Sequence, residues 1–446
     1  MPNLYEPSGK QRISSIDILR GAIMLIMALD HTRDFFHNAG PTSDPTNLAT
    51  TTPILFFTRW ITHFCAPNFV FLSGISAFLA GTRRSKSELR AFLIKRGAWL
   101  VFIEVVVMAL AFTANPLYNF ILLQVLWVIG LSMIILGLLI SLPRWAIALI
   151  GALILFGHDI LDYIAPPAAG TTARVLENLF FTANFSIIPV NKTHFIGDLY
   201  ALLPWTGVML LGYSLGPIFA KTFDALKRKK LLLYWGFGAL AFFLVFRYFN
   251  IYGDPSRWSA QKNGMFTFLS FINVSKYPPS LLYCCLTIGP GLVILALTEN
   301  IRNNATNVIL ACGSALLVYA AGHFFIPDPY ISILAGAMLG LVLFTGGFKG
   351  KLAEIIITYG SVPFLYYVMH FYLLRVITII TFFAQGFKTS QIVTPNNPFL
   401  FAPPGHGFNL GGVYLVWLSV IIVLYFPCRW FSKYKKTHNQ AWLSYL

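Results

Sequence analysis

The stretch SSIDILRGAIMLIMALDHTRD, residues 14–34, reads as one apolar helix that carries Asp17, Arg20, Asp30, His31 and Asp34. An ionisable side chain near a bilayer centre costs roughly 2.5–3.5 kcal/mol on insertion scales. A helix that served only as an anchor would not keep that load. Eleven steps of about 100° return His31 to within roughly 20° of Arg20, and the rise between them is about 16 Å. Asp17, Arg20, Met24, Met27, His31 and Asp34 therefore form one stripe from one membrane face toward the other. Such a stripe is expected to face protein or water and to mark a functional site.

Working outward, the 446-residue chain is 57% hydrophobic and 11% charged, and apolar runs recur along its whole length. About twenty such residues span a bilayer. Candidate spans start near Ser14, Pro53, Ala91, Phe120, Arg144, Phe195, Leu231, Tyr277, Asn307, Tyr330, Leu352 and Gly411. The fold class is thus all-α, a polytopic membrane bundle of about twelve transmembrane helices. Residues 1–446 read as one integral membrane domain, with a polar N-terminal tail over 1–13 and a polar C-terminal tail over 432–446. The first span follows that N-terminal tail directly and shows no small-residue cleavage site, so a removable signal peptide is not expected.

The net charge of +16 does not point to nucleic acid, because its distribution already has an explanation. Arg83, Arg84, Lys86, Arg90, Lys95 and Arg96 follow the second span. Lys221, Lys227, Arg228, Lys229 and Lys230 follow the sixth, Lys349 and Lys351 the tenth. Arg429, Lys433, Lys435 and Lys436 close the chain. With Lys10 and Arg12, all fall on one side of a twelve-span topology, the positive-inside pattern with both termini cytoplasmic. The five cysteines (Cys65, Cys284, Cys285, Cys312, Cys428) fit neither a disulfide framework nor a zinc site and read as packing residues. No metal is expected. No phosphate-binding glycine loop, HExxH motif or internal repeat is present.

On the opposite side lie a turn over 37–52 and longer loops over 165–194, 250–276 and 384–410. Their aromatic and polar residues suit a sugar or another polar acceptor, and equally suit interfacial belts.

His31, near the outer end of its helix, is a candidate general base. Asp34 at i+3 is the expected orienting group for its ring, with Asp30 as the alternative. Arg20 either completes the site electrostatically or pairs with Asp17. His63 in the second span is a candidate to face His31. Pro67 can open that helix beside Asn68, and Ser73-Gly74 lets backbones approach. The eleventh span carries GSVPFLYYVMH (360–370), with His370 one turn after Tyr366 and Tyr367, and then Arg375. Arg83, Arg84, Lys95 and Arg96 serve topology or clamp the phosphates of a cytosolic donor such as coenzyme A.

Several segments together resemble the transmembrane acyltransferase superfamily, with the nearest branch similar to bacterial relatives of heparan-alpha-glucosaminide N-acetyltransferase. They are SIDILRG (15–21), DHTRDFFH (30–37), PNFVFLSG (67–74), LPWTGVMLLGY (203–213), KYPPSL (276–281), and the tail from CRWF (428–431) to WLSYL (442–446). The Arg-x10-His pattern of Arg20 and His31 also resembles the acyltransferase-three family of sugar O-acyltransferases, as does the helix from Tyr366 to His370. The resemblance implies an enzyme of the bacterial inner membrane. It would move an acetyl or other acyl group from cytosolic acyl-coenzyme A to a sugar or glycan on the far side, with His31 as base or transient acyl carrier. In the eukaryotic acetyltransferase the corresponding histidine lies in the first extracytoplasmic loop, a place closer to His37, so the reading leaves His31 and His37 both open. The apolar pair over 307–348 looks additional to close bacterial relatives. The alternative readings are a proton-coupled secondary transporter using Asp30 and His31, and a structural membrane protein. The sequence shows no dedicated dimerisation segment.

Overall fold

The computed structural model describes residues 14–38, 44–183, 185–298, 351–395, 397–438 and 440–444. The N-terminal tail with Lys10 and Arg12, Cys312, Lys349 and the expected helical pair over 307–348 lie outside the described residues. The molecule is mostly helical. Helix α1 spans Ser14–Phe36. Helix α2 (Pro53–Trp60) starts on a Thr52 cap with proline in its first turn, and one 3₁₀ turn leads it into α3 (Cys65–Gly81). Helix α4 (Lys86–Phe102) opens on a Ser85/Glu88 capping box. It runs through a π-helical turn (Ile103–Met108) into α5 (Ala109–Thr113).

Strand β1 (Phe120–Leu123) precedes α6 (Val125–Leu139), and α7 (Arg144–Gly157) ends in a 3₁₀ turn. A short α8 (Thr172–Glu177) leads to β2 (Ser186–Pro189) and β3 (Phe195–Asp198). Then come α9 (Leu202–Leu215), α10 (Ala225–Phe249), α11 (Gly264–Ile272) and α12 (Leu281–Leu297). The last three long elements are α13 (Lys351–Ser361), α14 (Pro363–Ala384) and α15 (Leu410–Thr437).

Six described stretches are long and apolar enough to cross a membrane: Pro53–Gly81, Arg144–Tyr163, Leu202–Phe219, Ala225–Phe249, Pro363–Ala384 and Leu410–Thr437. Two details depart from the expected series of helical spans. The apolar runs at Phe120 and Phe195 begin as strands, which pair in parallel and, with β2 antiparallel to β3, make a sheet of order β1-β3-β2. Both β1 and β3 open on a Phe-Ile pair, which favours extended backbone, and four residues are too few to show a period of their own. The expected eleventh span is two helices, because Pro363 starts α14 and Val362 leaves helical geometry (φ −133°, ψ 48°). A proline has no N–H for the preceding turn and restricts the residue before it.

The helices meet where glycines remove side chains. A Cβ on Gly360 would land on the Asp17 carbonyl oxygen, and one on Gly21 would land on that of Ile356. These two contacts set α13 antiparallel against the first half of α1. Gly74 and Gly212 do the same for α3 and α9, against the carbonyls of Met209 and Phe71. At the end of the bundle opposite the Arg83–Arg96 segment, loops and sheet form a fixed layer. Arg375 of α14 donates to the carbonyls of Ala111, Phe112 and Leu400. Arg247 of α10 holds Asp254 and the carbonyls of Ser270, Phe271 and Asn273. His158 and Asp159 belong to this layer. Asp159 accepts from the Leu281 N–H at the start of α12, and His158 Nε2 lies 3.2 Å from Asp159 and 3.0 Å from the Pro279 carbonyl.

The α1–α13 crossing makes a stability prediction. Gly360→Ala should lower the thermal midpoint of the detergent-purified protein, at an overpacking cost of roughly 1–3 kcal/mol. Gly238→Ala on α10, where an added Cβ meets nothing within 4 Å, should not lower it. Equal midpoints for the two variants would refute the close crossing.

Candidate functional site

The polar stripe of α1 faces protein, as its spacing requires. Asp17, Met24 and Met27 are buried, Arg20 and His31 partly so, and only Asp34 opens to solvent. Arg20 bonds Ser76 of α3 (3.1 Å) and the Gly360 carbonyl (3.4 Å), with Asp17 at 3.5 Å. It therefore sits at the joint of α1, α3 and α13. Of the two roles open to it, pairing with Asp17 is the one observed. Ser76 supplies the hydroxyl here, while Ser73 makes no hydrogen bond among the described residues.

At the other end of the stripe, His31 Nδ1 lies 2.7 Å from His370 Nε2. The second ring nitrogen of His370, Nδ1, is 3.0 Å from the Tyr366 carbonyl. A carbonyl oxygen only accepts, so in the neutral ring His370 Nδ1 carries the proton and Nε2 is the acceptor. His31 Nδ1 must then donate. That leaves His31 Nε2 with its lone pair free, and it makes no hydrogen bond among the described residues. Phe371 (ring centroids 4.2 Å apart) and Tyr367 (6.4 Å) flank the His31 ring. The ring is thus oriented by His370, 339 residues away, and not by Asp34 as the helix spacing suggested. Asp34 is drawn instead to its neighbour Arg33.

Asp30 does not orient the ring either. Its carboxylate is the counter-ion of three cations: Arg33 (3.0 Å), Arg59 of α2 in direct contact, and Lys276 from the segment before α12 (3.9 Å). A charge taken out of water has to be paired, and this cluster joins three separate parts of the chain. His63 is buried next to it, within electrostatic reach of Arg59 and Lys276. Its ring meets Tyr283 edge-on at 5.5 Å, and no hydrogen bond joins it to His31. Asn68 bonds the carbonyls of Phe64 (2.8 Å) and Thr287 (3.1 Å), clamping α3 to α12. Tyr366 stacks on His370 at 5.5 Å.

His37 lies outside the cluster, where its backbone bridges to Phe408. Partial burial and then the nearby Arg33 charge push its imidazole below the ordinary value. Arg83 and Lys95 are exposed, and Arg84 caps α3 at the Ala80 carbonyl and lies over the Phe92 ring. Among the described residues no group of three or more His, Cys, Asp or Glu is disposed to hold a metal ion. Cys65, Cys284, Cys285 and Cys428 are unpaired thiols.

Sequence reasoning missed Arg33, Arg59, Lys276 and Glu104. Arg59 and Glu104 carried a usable signal, each being an ionisable residue within an apolar run. Glu104 sits in the π-helical turn and accepts the Leu126 and Trp127 N–H groups that start α6 (2.9 and 3.2 Å). Asp198 at the end of β3 was also missed. It is buried, and the backbone N–H of Tyr200 is the donor that approaches its carboxylate.

Fold and site together define a membrane-embedded helical bundle with a partly buried, oriented imidazole, one nitrogen of which makes no hydrogen bond among the described residues. The family model for heparan-alpha-glucosaminide N-acetyltransferase, catalytic, matches residues 12–248, just over half of the chain. The chain belongs to that family, which makes it a membrane protein of acetyltransferase type. No curated protein sequence matches it. The matched segment holds Asp30, His31, Arg59 and His63. Lys276 and His370 lie beyond it.

Asp198 gives a pH prediction. Burial raises its carboxyl from the ordinary 3.8 to about 7, against an opposing backbone contact from Tyr200. The folded chain therefore keeps this proton where the unfolded chain has lost it. That stabilisation is complete below the unfolded value and is lost as the pH rises through about 7. Asp198→Asn should flatten the fall in thermal midpoint between about pH 5 and 8. An unchanged slope would show that the carboxyl titrates normally.

Proposed function

We propose that this chain transfers an acetyl group from cytosolic acetyl-coenzyme A to a hydroxyl or amine of a sugar or glycan on the extracytoplasmic side. The observation that carries this reading is the free Nε2 of His31, fixed by the Nδ1 bond to His370. In the transfer, Nε2 takes the proton of the acceptor hydroxyl or amine as its oxygen or nitrogen bonds to the thioester carbonyl carbon. The tetrahedral intermediate then expels the coenzyme A thiolate, which recovers the proton from His31. Proton transfer from a positioned base contributes typically 10²–10⁴-fold to such a rate, by order of magnitude. His370 acts through His31 as a positioning residue. Arg20 braces the helix that carries His31, and Asp30 anchors the cation cluster alongside it. His63, Asn68, Ser73 and Tyr366 belong to the surrounding shell.

The basic segment with Arg83, Arg84, Lys95 and Arg96 faces the donor in this reading and would meet the coenzyme A phosphates. The topology that fits is a single domain over 1–446 with about twelve spans and both termini cytoplasmic, in a bacterial inner membrane. The proton-coupled transporter reading gains no support. Asp30, which it needs as a relay, is engaged by three cations, an arrangement that suits a fixed counter-ion.

Labelled acetyl transfer from acetyl-coenzyme A in membranes tests the assignment and separates the two histidines. His31→Gln should lose transfer by roughly 10²–10⁴-fold with expression retained, while His37→Ala should keep most of it. His370→Phe, which removes the acceptor that locks the tautomer, should cost about tenfold or more. Full activity in His31→Gln, with loss in His37→Ala, would move the base to the loop.

A further inference from the structure

The cluster beside His31 holds more positive charge than it neutralises. Arg33, Arg59 and Lys276 contribute three cations. The facing carboxylates are Asp30, which is buried, and Asp34, whose side chain is 46% exposed and therefore largely balanced by water. Arg33 Nη1 is buried and has no hydrogen-bond partner among the described residues. Lys276 is buried as well. It makes a long 3.9 Å approach to Asp30 and meets the side chain of its neighbour Tyr277, whose phenol shares a hydrogen bond with it and whose ring lies 5.1 Å away. A cation removed from water without a full complement of partners is costly, and the cost is relieved when an anion enters.

We propose that Arg33 and Lys276 form an anion-binding subsite that receives a carboxylate or phosphate substituent of the acceptor sugar, next to the atom that His31 deprotonates. Lys276 lies within electrostatic reach of the His31 ring, so the substituent would sit on the same or the neighbouring sugar unit. The phenol of Tyr277, in the segment before α12, reports the same surplus. Burial alone would push its pKa up, but Lys276 and then Arg59 outweigh that and bring it below the ordinary value. The naming of the occupant as an acceptor rests on the acetyl-transfer reading, while the anion preference itself does not.

The test is direct binding to the detergent-purified chain, followed by thermal shift at fixed ionic strength. The probes are glucuronate, glucose 6-phosphate and glucose, each with wild type, Lys276→Met and Lys276→Arg. At least one of the two anionic sugars should bind about tenfold or more tightly than glucose. The Met variant should lose that preference and the Arg variant keep it. Preference for glucuronate alone selects the carboxylate, and for glucose 6-phosphate alone the phosphate. Equal binding of all three sugars by wild type overturns the subsite, whatever the variants do. So does an undiminished preference in Lys276→Met. Acetyl transfer is not read in this experiment, so a chain that transfers nothing still answers it.

Discussion

Ionic pairing inside a low-dielectric bundle is the constraint on which the arrangement around His31 depends. Asp30 cannot be solvated where it lies, so Arg33, Arg59 and Lys276 gather on it. These residues come from α1, from α2 and from the segment that leads into α12. Their meeting fixes the C-terminal half of α1 in rotation, and with it the direction of the His31 ring. A simple hydrophobic contact would hold the helices together but would leave rotation free to drift. The glycine crossings at Gly21 and Gly360 determine how closely the N-terminal half of the same helix is approached.

The division of labour along α1 follows from its two ends. Arg20 bonds Ser76, the Gly360 carbonyl and Asp17, so it closes a joint between helices. His31 is held by one nitrogen and open at the other. A base that must accept a proton repeatedly needs this asymmetry. The His370–Tyr366 bond supplies it, because a carbonyl partner at one end of the relay admits a single direction of donation throughout.

Much of this was legible in the sequence. The eleven-residue interval between Arg20 and His31, on a helix with 3.6 residues per turn, is enough to put both on one buried stripe. Intramembrane charge alone marks His31 and His370 as residues to explain. What periodicity could not supply was their contact, since no local rule links positions 339 residues apart. The Asp34 expectation failed for a related reason. The i+3 spacing places Asp34 near His31, but Arg33 is a stronger partner for a carboxylate than a neutral ring, and it is one residue away. Pro363 was readable as a break. The strands at Phe120 and Phe195 were hidden because each runs straight into an apolar helix.

The placement of the site also bears on what the family match can carry. Residues 12–248 contain His31 and its counter-ion Asp30 together with Arg59. The atom that orients His31 belongs to His370, and the third cation on Asp30 belongs to Lys276, both in the part of the chain beyond the match. If the first half folded alone, His31 would lack the acceptor for its Nδ1 proton, and nothing among these contacts would choose between its two tautomers. The reactive nitrogen is thus defined only when α14 packs against α1. The α13–α14 break serves that packing. It lets α13 run antiparallel to the N-terminal half of α1 and then sends α14 along beside the C-terminal half, where His370 comes level with His31.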